Sequence, residues 1–261
     1  MVDKLISQFG QQAVNQWIAK GGSEQYPPST LHGMCSLYLL ENVHHMWKHC
    51  VVFYLLLDLC LLDTELQTNE VATKFAKAFS ISEDLIKLIQ GFWMLDHQHF
   101  EAALTYLVDP VVKTELGPWQ RSFVIKTLLA QGETQKALYL MKVMCPTVQS
   151  FSDVKLFITV LLASGNVTEA FNFQKNHHNQ IRTKELLYHF FSGCQQTKNM
   201  SKLLQLSLDS VEEEFLVNFL QEETFPYSKE LLVMHYLQKG RYVEGIRLNE
   251  LLKKDKKVCI K

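Results

Sequence analysis

The fold is indicated by two stretches of nearly the same pattern, LLAQGETQKAL at Leu128–Leu138 and LLASGNVTEAF at Leu161–Phe171. Each contains an apolar helix end, a small or polar residue, a glycine, three or four polar residues, and then a charged residue followed by alanine. Glycine after an apolar helix end takes the left-handed conformation that closes a helix. The pattern therefore predicts a corner at which one helix ends and the next begins.

The alanine of these two stretches marks a place that recurs along the chain. Ala137 and Ala170 lie 33 residues apart, and Ala102 and Gly245 hold the same place in two further stretches. Leu203 falls where the missing member is expected, although its surroundings match poorly, so the spacings are 35, 33, 33 and 42 residues. A small side chain near the start of a second helix lets two antiparallel helix axes approach closely. The spacing thus predicts a series of helix pairs.

The fold class follows from this spacing. A helix pair alone cannot bury all of its apolar surface, and stacked pairs share a continuous core. Periods of this length are those of α-solenoids, but the tetratricopeptide signature is absent at the required offsets. We therefore predict an all-α protein, an irregular α-solenoid of stacked antiparallel helix pairs over about residues 83–254. The alternative is a non-repetitive helical bundle whose hairpins resemble one another by chance.

Helices are predicted over almost the whole chain, and we expect residues 1–261 to form one α-helical domain or a fragment of one. An amphipathic helix over residues 2–19 precedes a loop at 20–30, where Gly-Gly and Pro-Pro disrupt regular structure. After an apolar block from about Thr30 to Asp63, the predicted helices are 69–79, 83–95, 99–107, 118–131, 134–144, 152–164, 167–176, 180–193, 199–207, 210–222, 228–239 and 241–254.

Several helix ends are predicted from local chemistry. Ser80 with Glu83, and Asn166 with Glu169, have the spacing of a capping box, which satisfies free backbone N–H groups. Pro118 suits a first helical turn, because its missing N–H needs no partner there. Left-handed glycines are predicted to close three helices, at Gly132, Gly165 and Gly240.

The bulk composition excludes several classes of protein. With 261 residues, 47% of them hydrophobic, the chain is too apolar to be disordered. A formal net charge of −1 gives no electrostatic footprint for nucleic acid. Six irregularly spaced cysteines indicate free thiols in a reducing compartment, and the first residues contain no secretory signal. The apolar run Cys50–Leu62 is shorter than the ~18–20 residues of a membrane span, so we predict a buried central helix and no membrane insertion.

The strongest candidate for a chemical site is the stretch ENVHHMWKHC at Glu41–Cys50. On a helix, Glu41, His45 and His49 share one face, and two histidines at i, i+4 can bind zinc. The glutamate is misplaced for the HExxH motif, and the third ligand is a turn too far along. We predict core or interface histidines here, and no metal, cofactor or catalytic residue anywhere in the chain.

Other polar clusters have plain structural interpretations. Both histidine pairs, at 97 and 99 and at 177 and 178, are predicted to be solvated residues of turns. The acidic run Glu212–Glu214 is predicted in a first helical turn, where negative charge offsets the helix dipole. The basic end KKDKKVCIK, residues 253–261, is interpreted as the solvated end of a helix, the alternative being a nuclear-import or phosphate-binding patch.

Three long stretches resemble the central α-helical domain of the ELYS family of nucleoporins. They are SLYLLENVHHMWKHCVVFYLLLDL, GFWMLDHQHFEAALTYLVDP and WQRSFVIKTLLAQGETQKALYLMKVMCP, and the likeness extends over nearly the whole chain. In that family the helical domain follows a β-propeller and precedes a long tail with AT-hook DNA-binding elements. Neither propeller strands nor an Arg-Gly-Arg AT-hook is present here. We therefore expect Met1 to be an internal methionine of a longer protein.

The resemblance implies a structural scaffold of the nucleus and nuclear envelope, at the nuclear pore complex, and not an enzyme. Members of the family bind chromatin at the end of mitosis and recruit the Y-shaped scaffold subcomplex. The implied partners are scaffold nucleoporins, with chromatin contacted only through parts of the longer protein and no small-molecule substrate. No partner-binding residue can be mapped. Two alternatives are a tetratricopeptide-like peptide-binding adaptor unrelated to pores, and a metal-dependent enzyme built on His45 and His49.

Overall fold

The computed structural model describes residues 30–39, 43–62, 70–113, 116–144, 150–177, 183–222 and 227–258, with scattered residues before Thr30. Every regular element in these ranges is an α-helix, as predicted. The predicted helix over 2–19 and most of the loop over 20–30 lie outside the described residues. The chain forms two compact units, Met1–Ile125 and Lys126–Lys261, and each is described by itself.

The first unit is organised around its second helix. Its helices are α1 (Leu31–Tyr38), α2 (His45–Leu62), α3 (Glu70–Ala78), α4 (Glu83–Asp96), α5 (Phe100–Leu107), α6 (Pro110–Lys113) and α7 (Pro118–Ala130), the last of which continues into the second unit. α2 packs against α3 and α4, and α4 packs against α5 and α6. The core around α2 contains Val51, Phe53 and Leu57, together with Ala76 of α3 and Ile89 of α4.

The second unit is a succession of helix pairs. Its helices are α8 (Thr134–Met144), α9 (Phe151–Ala163), α10 (Val167–Asn176), α11 (Thr183–Gln196), α12 (Met200–Leu203), α13 (Ser210–Glu222), α14 (Ser228–Gln238) and α15 (Tyr242–Val258). Consecutive helices α9 and α10, α13 and α14, and α14 and α15 pack together. α9 also packs against α11, and α11 against α13, so contacts pass from one pair to the next.

The predicted helices agree with the structure to within a few residues over most of the chain after residue 69. The largest differences are α12, which is a single turn at Met200–Leu203 instead of a helix over 199–207, and α15, which ends at Val258 instead of 254. α6 was not predicted, because four residues are too few for an apolar period to show. Helix α7 begins at Pro118, as its first-turn position predicted.

α2 is the buried central helix that the apolar run predicts, but only one side of it is covered. Cys50, Phe53 and Leu57 are buried, whereas Leu61 and Leu62 in the last turn are exposed. Within the described residues, α2 is the one helix long and apolar enough to cross a membrane by length and composition. A core helix passes the same test, and the burial of α2 against α3 and α4 is typical of a core helix.

One corner geometry recurs through both units. At each corner a residue with positive φ donates its N–H to the carbonyl three residues earlier, and the next residue donates to the carbonyl five residues earlier, at N···O distances of 2.8–3.2 Å. This pair of backbone hydrogen bonds closes one helix, and the chain then turns into the next helix. Among the described residues, those with this corner geometry are Ser80, Gln98, Gly132, Gly165, Lys198 and Gly240.

The three predicted left-handed glycines are confirmed at these corners. The first member of the repeat, however, lies one residue later than predicted. In the five corners from Gln98 onward, the recurring place lies five residues after the corner residue, which makes Ala103 and not Ala102 its first member. The spacings are then 34, 33, 33 and 42 residues. The alanines Ala103, Ala137 and Ala170 are fully buried there, and so is Leu203, although its sequence matched poorly. A small side chain is therefore common at this place but not required.

Two neighbouring corners of the second unit are bonded to each other. Asn199 Nδ2 donates to the carbonyl of Leu162 at 3.2 Å, and Lys202 Nζ donates to the carbonyl of Gly165 at 2.9 Å. Carbonyls at a helix C-terminus lack intrahelical partners. The corner after α11 thus supplies donors to the corner after α9 and ties one helix pair to the next.

Both predicted capping boxes are wrong. Ser80 is the left-handed residue that ends α3, and α4 is capped by Ser82 without a side-chain hydrogen bond. Asn166 precedes α10 but its side chain accepts no capping bond. Capping boxes form instead at Ser150–Asp153 and at Asp209–Glu212, each with reciprocal bonds between side chain and backbone. Residue spacing alone does not decide this, because the corner bonds set the backbone direction at Ser80 and Asn166.

Replacing Lys198 with glycine is expected to raise the free energy of unfolding by about 0.5–1 kcal/mol. Lys198 holds a left-handed φ of 58°, which a side chain disfavours and glycine tolerates. Part of the gain is offset by the greater freedom of glycine in the unfolded chain. Urea denaturation followed by circular dichroism measures the change. The control, Lys126→Gly in the middle of α7, should lose about 1 kcal/mol, and a loss for Lys198→Gly as well would contradict the expectation.

Candidate functional site

The histidine stretch at the start of α2 forms an aromatic contact cluster. His49 Nδ1 lies 2.6 Å from the Tyr38 hydroxyl, and the imidazole lies 4.5 Å from the Phe79 ring. Partial burial lowers the pKa of His49, and the nearby charge of His45 lowers it further. His49 is thus engaged as an interface histidine between α1, α2 and α3. Glu41, the third residue of the candidate triad, lies outside the described residues.

No group of three or more histidine, cysteine, aspartate or glutamate side chains is placed to hold a metal ion within the described part of the chain. The neutral form of His49 is favoured by its lowered pKa, but one of its ring nitrogens already faces Tyr38. Only one ring nitrogen of His49 therefore remains for a ligand. The contacts of His49 with Tyr38 and Phe79 indicate that this residue has a packing role.

A second polar cluster, not anticipated from the sequence, surrounds Asp58 on α2. Its carboxylate accepts a hydrogen bond from the Tyr26 hydroxyl at 2.5 Å and from Trp93 Nε1 at 2.7 Å. His97 Nε2 lies 3.5 Å from the same carboxylate. One turn from this network, the Tyr54 hydroxyl donates to Asp96 at 2.6 Å. We call Asp58, Tyr26, Trp93 and His97 the Asp58 cluster.

The Asp58 cluster connects elements that are far apart in sequence. Burial raises the pKa of Tyr26, and the hydrogen bond to Asp58 raises it further, so this phenol stays protonated at neutral pH. The pKa of Tyr54 is raised for the same two reasons, with Asp96 as its acceptor. The cluster holds α4 against α2.

The histidines predicted to be solvated differ in their surroundings. His97 ends α4, is half-buried, stacks 4.2 Å from the Trp93 ring and bonds the Trp93 carbonyl through Nδ1. His177 ends α10 with the same arrangement on Phe173, at 4.2 Å, but stays exposed. His99 is exposed, and His178 lies outside the described residues. The solvated interpretation is therefore wrong for His97, because Trp93 and Asp58 cover it.

The acidic run at the start of α13 does more than offset a helix dipole. Glu212 and Glu213 lie in the first turn, as predicted. Glu212 is buried and pairs with Lys175 of α10 at 3.0 Å. Glu213 faces His235 of α14 at 3.3 Å, with Lys239 and Arg241 within 4 Å of its carboxylate. Through these contacts the acidic run connects α13 to α10 on one side and to α14 on the other. The basic side chains after Lys253 lie outside the described residues.

The buried thiols are expected to resist alkylation at pH 8. Burial raises the pKa of Cys50 and of Cys194 to about 12, so almost no thiolate forms. Because the thiolate is the reactive form, both should react more than about 100-fold slower than exposed Cys35. Mass spectrometry after timed iodoacetamide treatment locates the modified residues. All six cysteines should react in guanidinium, and early modification of Cys194 in the folded chain would contradict the packing of α11.

Several apolar side chains of α14 and α15, near the end of the described chain, are exposed. Tyr242, Val243 and Ile246, in the first turns of α15, are more than half exposed. Leu237 and Met234 of α14 are also exposed. Exposed apolar side chains that cluster in this way mark interaction sites more often than scattered ones do. The sequence pattern did not distinguish them from the buried residues of earlier pairs.

The described residues define an all-helical protein of repeated helix pairs, with packed polar clusters and an apolar surface at its last pair. A sequence model of one family, ELYS, described as "Nuclear pore complex assembly", matches residues 1–223. The chain belongs to the ELYS family, whose members are nucleoporins of the nuclear pore complex, in the nucleus and nuclear envelope.

Three relatives show the extent of the similarity. Protein ELYS of Homo sapiens is 39% identical over 97% of this chain and 11% of its own length. Protein ELYS of Xenopus laevis is 37% identical over 97% of this chain and 10% of its own length. The uncharacterized protein ely5 of Schizosaccharomyces pombe is 19% identical over 87% of this chain and 72% of its own length. The chain thus spans about a tenth of the two ELYS proteins.

Proposed function

We propose that this chain is a scaffold segment of a nucleoporin, which helps to seed nuclear pore assembly on chromatin after mitosis by docking to the Y-shaped scaffold subcomplex. The observation that carries the proposal is its family membership, with 39% identity to human ELYS across 97% of the chain. Chromatin is contacted through other parts of the longer protein. The chain acts by presenting surface and has no catalytic role.

The proposed role fits an α-solenoid, and contacts between helix pairs of the second unit support that arrangement. Contacts that pass from α9 to α11 and from α11 to α13, with bonds between the corners after α9 and α11, are those of stacked repeats. A stacked array exposes a long surface along its sides and an apolar face at its ends. We propose that the helix pairs of the whole chain stack in this way.

Binding to purified scaffold nucleoporins tests the proposed function. The chain is mixed with the reconstituted Y-shaped subcomplex, and co-elution on size exclusion with a measured Kd is the expected result. An unrelated helical-repeat protein of similar length serves as the control for nonspecific association. Failure to bind, also when the β-propeller expected of the family is supplied, would overturn the proposal. Saturable binding to one short peptide from an array, without binding to nucleoporins, would favour the peptide-adaptor alternative.

Small-angle X-ray scattering tests the solenoid arrangement separately. A compact domain of this length has a radius of gyration of about 18 Å. An extended stack of helix pairs is expected to exceed that value clearly and to give an elongated distance distribution. A radius near 18 Å with a symmetric distribution would favour the helical bundle instead. This measurement does not depend on any partner, so its outcome is separate from that of the binding experiment.

A further inference from the structure

A buried histidine lies at the contact between α13 and α14. His235 of α14 is 1% exposed, and its Nε2 lies 3.3 Å from a carboxylate oxygen of Glu213 on α13. Because a carboxylate can only accept hydrogen bonds, the neutral imidazole carries its proton on Nε2 and donates it to Glu213. The other nitrogen, Nδ1, is buried and has no hydrogen-bond partner within the described part of the chain.

The carboxylate of Glu213 is shared by three basic side chains. Besides His235, Lys239 Nζ at the end of α14 lies 3.7 Å from it, and Arg241 Nη1, just before α15, lies 3.9 Å from it. Arg241 is also paired with Glu244 of α15 at 3.2 Å. The charged groups around His235 thus come from α13, from its own helix and from the start of α15. We call His235, Glu213, Lys239 and Arg241 the Glu213 cluster.

A second proton on His235 is unfavourable in this place. It turns Nδ1 into a buried N–H without an acceptor and puts a full positive charge away from water. Glu213 favours the charged imidazole, but its negative charge is already shared with Lys239 and Arg241, which repel a further positive charge. Burial therefore lowers the pKa of His235 below its ordinary value of 6.5, and Lys239 and Arg241 lower it further while Glu213 opposes the shift.

The Glu213 cluster lies where the last described helix pair joins the earlier part of the second unit. α14 packs against α15 on one side and against α13 on the other. In stacked repeats each pair is held by its neighbour, so one pair can separate while the others stay folded. Separation of α14 from α13 exposes His235 to water, and the imidazole then binds a proton at its ordinary pKa.

We propose that the Glu213 cluster is an acid-sensitive latch, in which protonation of His235 releases α14 and α15 from α13 while the earlier helix pairs of the second unit stay folded. The open form binds a proton more readily than the closed form, so acid favours the open form. The latch is fully stable above pH 6.5 and weakens as the pH falls below 6.5, until His235 is protonated in the closed form as well. This property belongs to the second unit and does not depend on the proposed binding of nucleoporins.

Hydrogen exchange followed by mass spectrometry tests the latch in the whole chain. After correction for the intrinsic exchange rate, opening of α14 and α15 should become about 5- to 30-fold more frequent between pH 7.5 and 5.0. The upper figure, about 30-fold, is the limit for one histidine that titrates near 6.5 only in the open form. His235→Gln should abolish this rise, because its amide N–H still donates to Glu213 but binds no further proton. A rise that persists in His235→Gln overturns the proposal.

The matched control is His189→Gln, which replaces another histidine between two helices. His189 of α11 is half-buried, its Nε2 lies 3.1 Å from the carbonyl oxygen of Lys155 on α9, and burial lowers its pKa as well. This variant should keep the acid response of α14 and α15 that His235→Gln loses. Loss of the response in both variants would show that acid acts on the whole second unit, and it would also overturn the proposal.

Nuclear magnetic resonance of the histidine-labelled parent chain gives a second readout that needs no stable variant. The ring of His235, identified by its contact with the Tyr236 ring at 6.3 Å, should be mainly neutral at pH 6.0, with the proton on Nε2. An imidazole with an ordinary pKa is mainly protonated at that pH. A charged His235 at pH 6.0 in a chain whose α14 and α15 remain protected from exchange would rule out the latch.

Discussion

Replacing Phe190 with alanine is expected to lower the free energy of unfolding by about 3–5 kcal/mol. The side chain is fully buried on α11, with its ring 5.7 Å from Phe171 and 5.9 Å from Phe191. Removing it leaves a cavity between α10 and α11 that the rigid neighbouring helices cannot fill. Urea denaturation followed by circular dichroism measures the shift in midpoint.

The control for Phe190 is Tyr139→Ala, which removes an aromatic ring that is mostly exposed on α8. It should cost less than about 1 kcal/mol. A similar loss for both variants would show that burial at the α10–α11 contact does not dominate stability. Phe190→Leu, which retains most of the apolar volume, should fall between the two.

Replacing Asp58 with alanine should cost about 2–4 kcal/mol, the second-largest effect. The change removes the acceptor of both the Tyr26 hydroxyl and Trp93 Nε1, two donors that the surrounding helices partly cover. A donor left without its acceptor loses its protein hydrogen bond and does not fully regain one to water. The fluorescence of Trp93 reports the change locally, and chemical denaturation gives the free energy.

Asp58→Asn is the matched control, because the amide oxygen keeps one acceptor at nearly the same volume. It should cost at least about 1 kcal/mol less than Asp58→Ala. The double variant Asp58→Ala with Tyr26→Phe should cost less than the sum of the single changes, since the two groups share one bond. Equal costs for Asp58→Ala and Asp58→Asn would mean that charge, and not the hydrogen bonds, holds the Asp58 cluster.

Helices and corners were predicted well because they depend on neighbours in sequence. Apolar residues at a period near 3.6 mark α9 and α13, and glycine marks the corner at 165. The corners at Gln98 and Lys198 contain no glycine, yet they adopt the same left-handed geometry. Packing of the following helix outweighs the local preference there. The corner at Gln98 contains no glycine to mark it, so the sequence places the first member of the repeat at Ala102, one residue before the buried Ala103.

The polar clusters could not be predicted, because their members are distant in sequence. Tyr26, Asp58 and Trp93 meet only when α2 and α4 pack, across separations of 32 and 35 residues. Each residue alone fits an ordinary helix or loop position. His97 is an example, because its position in a turn does not indicate that its ring lies against the ring of Trp93. The contacts of Glu212 with Lys175 and of Glu213 with His235 could not be predicted either, because the partners lie on other helices.

The sequence by itself determined the all-helical class, the helix spans, the corner glycines and the recurring place at Ala137 and Ala170, because all of these follow from residues within one or two helical turns. Only the tertiary structure decided which faces are covered. Phe171 and Ile246 occupy the same position of the repeat with similar apolar character, but one is buried and the other exposed. Burial depends on whether another helix lies against the position, and that helix comes from elsewhere in the chain or from a partner.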